Sequence, residues 1–175
     1  MESLKRFLAT KRKRKVNEQK SAVARPRARK FLGFSFTGAG IPKRRIAPKA
    51  VDRFKERVRE LTRRTRGVSI ERMAEKLARY LRGWIGYFGK CETPSVLAAL
   101  EGWLRRRLRS VIWKQWKRGT TRFAELRKRG VKRNLAAKTA GSGHGPWRLA
   151  DSPGLHIALP NAYFDSLKIP RLTVR

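Results

Sequence analysis

The 175-residue sequence has one Cys and two His. One Cys cannot form an intrachain disulfide, and the Cys and His residues together are too few for a Cys/His zinc finger. The longest purely apolar run, Val96 to Leu100, is far shorter than the ~20 residues that a membrane-spanning helix requires. The N-terminus is not a secretory signal, because a basic block directly follows the short apolar run at residues 7–9. We therefore expect a soluble, intracellular protein.

Acidic side chains are also scarce, and this limits the chemistry that the chain can support. Residues 1–50 contain only Glu2 and Glu18, and residues 102–150 contain only Glu125. Two-metal phosphoryl chemistry needs clustered carboxylates, yet the sequence has no adjacent pair of Asp residues. It also has no glycine-rich phosphate loop that ends in Gly-Lys-Ser/Thr. We expect a protein that is not an enzyme and binds no metal ion or cofactor of its own.

Positive charge, in contrast, is abundant. The chain has 46 Lys and Arg against 12 Asp and Glu, which gives a formal net charge of +34. The hydrophobic content of 40%, with five Trp and eight Phe, indicates a folded protein rather than a disordered basic tail. Such a charge would repel itself unless a polyanion neutralised it. Nucleic acid is therefore the first expected partner, and an anionic membrane surface is the second.

The N-terminal third reads as a short helix and a few short strands. We predict a helix over Glu2–Lys13 and strands over residues 20–24 and 30–36. A further strand at residues 45–47 is expected to pair back onto residues 30–36. Pro26 makes the segment between the first two strands a loop or an edge.

Three longer helices follow with stronger signals. The first starts at Pro48 and ends by Gly67, the second starts after an N-cap at Ser69, and the third starts after an N-cap at Thr93. Apolar residues recur on one side of each at helical spacing, and the other side of each helix is polar. Mutual packing of the three apolar sides as a bundle is the expected solution, so the predicted fold class is mainly α.

The pattern weakens after residue 118. We predict helices over residues 121–129, closed by Gly130 in a left-handed conformation, over residues 134–140, and around residues 162–168. Residues 141–146 are predicted to form a flexible loop. The predicted organisation is an N-terminal unit (1–47), a three-helix domain (48–118) and a basic C-terminal segment with short helices (119–175).

The candidate binding residues belong to the most basic part of the chain. Residues 102–150 carry 15 Lys and Arg against one acidic residue, so almost no carboxylate is available to pair with them. Arg outnumbers Lys there, which favours bidentate phosphate contacts. The predicted nucleic-acid-binding set, which includes two Arg of the second helix, is Arg79, Arg82, Arg105, Arg106, Arg107, Arg109, Trp113, Lys114, Lys117, Arg118, Arg122, Arg127, Lys128, Arg129, Lys132 and Arg133.

Two features of this region leave alternatives open. On the third helix, Arg106, Arg109, Trp113 and Lys117 fall opposite the apolar stripe. Trp113 either packs beneath the C-terminal segment under Arg side chains, or stacks on a nucleic acid base. Three glycines of the second helix, at positions 83, 86 and 89, allow close approach of either another helix or a phosphate backbone.

Several short motifs together resemble group II intron reverse transcriptase/maturases. They are Phe31-Leu-Gly-Phe34 after Val16-Asn-Glu-Gln-Lys-Ser21, Arg82-Gly-Trp84 before Ile85-Gly-Tyr-Phe88, Trp103 to Arg107, and Gly145-Pro-Trp-Arg148. The resemblance covers about residues 1 to 172 in the order of the family.

The resemblance implies a C-terminal part of such a protein. Residues 1–47 are similar to a remnant of the polymerase palm, and residues 48–118 to the thumb-like, maturase-specific domain. The metal site of the family, of Tyr-x-Asp-Asp type, would lie upstream of Met1, so we expect no DNA polymerisation by this chain alone. The cysteine pairs of the DNA-endonuclease domain that some members carry are absent.

By resemblance, the retained part would bind structured group II intron RNA and assist its splicing. Any Mg²⁺ would belong to the RNA or to the missing palm. DNA, and an upstream reverse transcriptase fragment acting in trans, are further candidate partners, and no membrane is expected.

The expected compartment is the cytoplasm of a bacterium or archaeon, with an organelle as the alternative. A non-functional remnant of a mobile element and a general nucleic-acid-binding protein are the competing hypotheses. Changing Arg105, Arg106 and Arg109 to Glu is expected to abolish RNA binding without unfolding the bundle.

Overall fold

The computed structural model describes residues 2–17, 25, 29–38, 40–63 and 67–173. The predicted strand at residues 20–24 and the loop around Pro26 lie outside the described residues. The described part is mainly α with one small antiparallel hairpin, which confirms the predicted fold class. Its elements are α1 (Glu2–Arg12), β1 (Phe34–Phe36), β2 (Arg44–Ile46), α2 (Pro48–Leu61), α3 (Ile70–Phe88), α4 (Pro94–Gln115), α5 (Gly119–Lys128), α6 (Arg133–Ala140), α7 (Pro146–Leu149), α8 (Pro153–Ala158) and α9 (Asn161–Ser166).

The hairpin is shorter than predicted because a tight turn interrupts the first strand. Phe31 and Phe34 pair with each other, and the turn between them places Leu32 and Gly33 at positive φ. The strand therefore begins at Phe34, which pairs with Ile46 of β2 in antiparallel register. A side chain at position 33 would also meet the ring of Phe88, so glycine allows the turn to pack against α3.

Helices α2, α3 and α4 pack as the predicted bundle. Phe54 of α2 is fully buried, and its ring centroid lies 4.5 Å from that of Trp84 on α3. The apolar stripe of α4 is buried against them, at Leu97, Leu100, Leu104, Leu108 and Val111. Ser69 caps α3 as predicted, because its hydroxyl oxygen accepts a hydrogen bond from the backbone N–H of Arg72.

Other helix ends depart from the prediction. Helix α2 ends at Leu61, before the predicted stop at Gly67. Thr93 occupies the N-cap position of α4, but its side chain makes no capping hydrogen bond. Gly130 follows α5 with φ +83°, which confirms the predicted left-handed termination.

The C-terminal segment is more ordered than the sequence indicated. Helices α7 and α8, each with Pro in its first turn, occupy part of a region predicted without helices. Their buried residues, with those of α5, α6 and α9, belong to the same hydrophobic core as the bundle. The segment covers the second side of α4, so the expectation that each bundle helix is polar on its outer side is wrong for α4. The core is thus continuous across residue 118, on both sides of this central helix.

Candidate nucleic-acid interface

Some of the basic residues in and just after helix α4 are buried, and others are exposed. Arg105 and Arg109 are 2% and 5% exposed, whereas Lys114 and Lys117, near the end of the helix, are exposed. The two buried Arg lie on the side that the C-terminal segment covers. Arg109 and Trp113, both in the predicted binding set, are therefore not accessible to a nucleic acid, because the C-terminal segment covers this side of the helix.

Arg105 is the centre of a buried charge network. Its Nε donates to Glu101 Oε1 at 2.6 Å, and its Nη2 donates to Asp165 Oδ1 at 3.3 Å. The other oxygen of Glu101 accepts from the backbone N–H of Leu172 at 2.6 Å. Asp165 in turn accepts from Arg171 through Oδ2. This network joins α4 to α9 and to the last described residues of the chain.

Arg109 makes a second link between α4 and the C-terminal segment. Its Nε donates to the carbonyl oxygen of Leu159 at 2.9 Å, and its Nη2 donates to the side-chain oxygen of Asn161 at 3.2 Å. Burial lowers the pKa of the Arg109 guanidinium, and the nearby charge of Arg105 lowers it further, whereas Asp151 opposes these effects. Because an arginine pKa starts far above neutrality, the side chain stays charged and acts as a structural cation.

Trp113 is packed inside the protein, 1% exposed. The guanidinium of Arg122 lies 4.7 Å from the centroid of its ring. This decides the open question for Trp113 in favour of packing beneath the C-terminal segment under an Arg side chain, because a base would have no access to the ring. Arg129 has a similar role, since its guanidinium lies over the rings of Trp116 and Tyr163 and pairs with Glu125.

Arg106 and Arg107 are half-buried and also engaged within the protein. Arg106 stacks over Trp147 at 4.7 Å, donates to the carbonyl oxygen of that residue and pairs with Asp151. Arg107 donates to the hydroxyl and carbonyl oxygens of Thr62 at the end of α2. The expectation that Arg105, Arg106 and Arg109 can all become Glu without unfolding the bundle is contradicted by these contacts, because two of the three charges are buried.

The exposed members of the predicted set that follow Trp113 in the chain fall into two clusters. The α4-end cluster is Lys114, Lys117 and Arg118, and the α5–α6 turn cluster is Arg127, Lys128, Lys132 and Arg133. Helix α5, ten residues long, separates them by about 15 Å. Within the described part of the chain, Arg127 alone of these seven makes a side-chain hydrogen bond, to the carbonyl oxygen of Val131, and none of the seven makes an ion pair. Both clusters are therefore available to an anionic partner.

Arg79 and Arg82 lie on the exposed side of α3, with Gly83 and Gly86. Arg79 pairs with Glu75 at 3.3 Å. A Cβ atom added at either glycine would meet no described atom within 4 Å. Close approach of another helix, one of the two explanations for these glycines, is therefore wrong for both positions. Gly89 has a different role, because it ends α3, and a Cβ there would meet the carbonyl oxygen of Ile85 at 2.6 Å.

The sequence interpretation missed Glu101, the residue that holds Arg105 in place. A signal was present, because Glu101 precedes Arg105 by four residues on the same helix, the spacing of a favourable ion pair. Asp165 could not be found in this way, since it is 60 residues from Arg105 in the sequence. Among the described residues, no group of three or more His, Cys, Asp or Glu is arranged to hold a metal ion.

Comparison with protein families identifies the bundle. Residues 51–130 match the family model of the group II intron, maturase-specific domain. This stretch of the chain is similar to a group II intron maturase-specific domain. It comprises most of α2, all of α3, α4 and α5, and the turn at Gly130. The family confirms the resemblance noted in the sequence and implies a maturase-type function in intron splicing.

No curated protein matches the chain. In the described ranges, no helix has both the length and the apolar content that crossing a bilayer requires. The matched range continues past residue 118 to residue 130, and this extension contains Arg122, Arg127, Lys128 and Arg129 of the predicted set.

Proposed function

We propose that this protein binds structured group II intron RNA and assists its splicing without performing the chemistry itself. The observation that carries the proposal is the pair of exposed cationic clusters at the end of α4 and at the α5–α6 turn. Their side chains project from a maturase-specific domain and the helix that follows it. These seven like charges repel one another and have few partners within the described part of the protein. Binding of RNA phosphates would neutralise them and lower this electrostatic repulsion.

The mechanism follows from the separation of the clusters. A folded intron crowds its phosphates together, and this repulsion opposes the compact RNA. Two groups of cations about 15 Å apart on a rigid helix can neutralise phosphates from two RNA segments at once. The protein would thereby stabilise the folded RNA, and the RNA with its Mg²⁺ would supply the splicing chemistry. In this proposal the chain has no catalytic residue and no bound cofactor.

The test is a salt titration of binding to a folded group II intron transcript. If all seven cations contact phosphates, the logarithm of the binding constant should fall with the logarithm of salt with a slope of about −5 to −6. A slope near zero for the folded protein would contradict phosphate binding and favour a non-functional remnant.

Competition experiments and activity assays separate the proposal from its alternatives. At fixed salt, unlabelled intron RNA should displace the labelled transcript at lower concentrations than unrelated structured RNA or duplex DNA. Equal competition by all three would indicate a general nucleic-acid-binding protein. Addition of the protein should accelerate splicing of the transcript at low Mg²⁺. Primer extension, with and without an upstream reverse transcriptase fragment, tests the proposed absence of polymerase activity.

A further inference from the structure

A cleft with a volume of about 570 Å³ opens between the end of α2, the start of α3 and the end of α4. Its floor is apolar and is formed by Leu61, Val68, Met73 and Val111. Met73 and Val111 belong to the buried core, so the floor is a rigid part of the bundle. The side-chain amide of Gln115, at the end of α4, donates a hydrogen bond to the carbonyl oxygen of Val68 at 3.4 Å. This bond links α4 to the residues directly before α3.

The rim of the cleft is cationic on each of its three sides. Arg63 follows α2, Lys76 lies on α3, and Lys114 and Lys117 belong to the α4-end cluster. In the described part of the chain, none of these four side chains makes an ion pair or a hydrogen bond, and no carboxylate lines the cleft. An occupant should therefore be anionic around its edge and apolar at its centre.

The start of α3 adds a further preference for negative charge. Gly67, Val68 and Ser69 line the cleft directly before this 19-residue helix. The first N–H groups of a helix have no partner within it, and its dipole favours an anion at this end. Helix start and rim cations thus act in the same direction, above the same apolar floor.

We propose that this cleft binds an unpaired nucleotide of the RNA, with its base on the apolar floor and its flanking phosphates on the cationic rim. A nucleotide combines an apolar planar face with a negative charge on either side, which is the pattern that the cleft presents. The rim is also continuous with the α4-end cluster, which the proposed function places on RNA. The inference rests on that proposed function and adds a preference for an extruded base over a fully paired duplex.

The experiment compares three RNA hairpins of one sequence: fully paired, with a single-nucleotide bulge, and with the same bulge lacking its base. The full-length protein should bind the bulged hairpin about tenfold more tightly than the abasic one, a difference of ~1.4 kcal/mol. It should also bind the fully paired hairpin, through the cations outside the cleft. Equal binding of the bulged and abasic hairpins would overturn the inference and leave the proposed function intact.

Two variants locate the effect. Val68→Trp fills the floor and should remove the preference for the base while the fully paired hairpin is still bound. Lys114→Glu should weaken binding of all three hairpins, and more so than Lys138→Glu, a matched change at an exposed lysine of α6 away from the cleft. Thermal unfolding of each variant establishes that it is folded. A preference for the base that survives Val68→Trp in a folded protein would place the base elsewhere and refute the inference.

Two further outcomes are informative. Failure of the protein to bind any of the hairpins would overturn the proposed function together with the inference. A cleft with an apolar floor and a cationic rim also fits an acidic amphipathic peptide. If Val68→Trp abolished binding of such a peptide and left RNA binding unchanged, the cleft would be a protein-docking site and the inference would be wrong.

Discussion

Basic residues in and just after helix α4 occur in two different situations. At its middle, Arg105 and Arg109 are buried and hold the C-terminal segment through Glu101, Asp165, Leu159 and Asn161. At its end, Lys114 and Lys117 are exposed and have no side-chain partner among the described residues. In a sequence this basic, a cation is thus not evidence of a binding surface until its partners are known. Acidic residues are scarce, and at the middle of α4 they pair with buried Arg.

The largest effect should come from removing the centre of the buried network. We expect Arg105→Ala to destabilise the protein by about 3–5 kcal/mol, because Glu101 would lose its cation partner in a largely buried setting and the link from α4 to Asp165 would be lost. Chemical denaturation measures this loss. The matched change Lys114→Ala should alter stability by less than about 0.5 kcal/mol. Equal losses for the two variants would remove the distinction between structural and available cations.

A gain in stability is expected on the exposed side of α3. Gly83→Ala should stabilise the protein by about 1 kcal/mol, because a mid-helix glycine is costly and the added methyl group meets open space. Thermal unfolding measures this gain. If the glycine serves close approach of a phosphate backbone, the more stable variant should bind RNA less tightly. Unchanged RNA affinity would leave Gly83 without a role in binding.

Asp165 connects the buried network to solvent and makes it sensitive to acid. Hydrogen bonding from Arg171 lowers the pKa of this carboxyl most, and the charge of Arg105 lowers it too. A lowered carboxyl pKa stabilises the folded state above the unfolded value of about 3.9, and this contribution is lost as the pH falls through the folded value. Asp165→Asn should therefore be less stable than the wild type at pH 7, and the difference should shrink below about pH 4. A difference independent of pH would show that the carboxylate charge is not the cause.

The smallest effect on stability is expected in the α5–α6 turn cluster. Lys128→Ala should leave the free energy of unfolding within about 0.5 kcal/mol of the wild type. It should nevertheless weaken RNA binding and reduce the magnitude of the salt slope by about 0.7–0.9, the effect of one lost phosphate contact. Lys138→Ala, outside both clusters, is the control. An unchanged slope for Lys128→Ala would exclude this lysine from the RNA-binding surface.

Local signals predicted the bundle well. The apolar stripes of α2, α3 and α4, the Ser69 cap and the Gly130 termination each depend on residues within a few positions of one another, so they are visible in the sequence. The candidate site was predicted less well. Its exposed clusters agree with the basic run, but Arg105 and Arg109 are bonded to residues 60 and 50 positions away, whose approach no periodicity reveals. Trp113 is buried, with Arg122 over its ring.

The amino-acid sequence by itself determined a basic, mainly helical protein with a three-helix bundle, because composition and helical periodicity are local properties of the chain. Only the tertiary structure decided which cations are exposed and have no side-chain partner among the described residues. A buried arginine needs hydrogen-bond acceptors, and Glu101 of α4 itself supplies only one of them. The folding of the C-terminal segment onto α4 supplies the others, from Asp165, Leu159 and Asn161. The cations that this segment leaves uncovered form the surface that we assign to RNA.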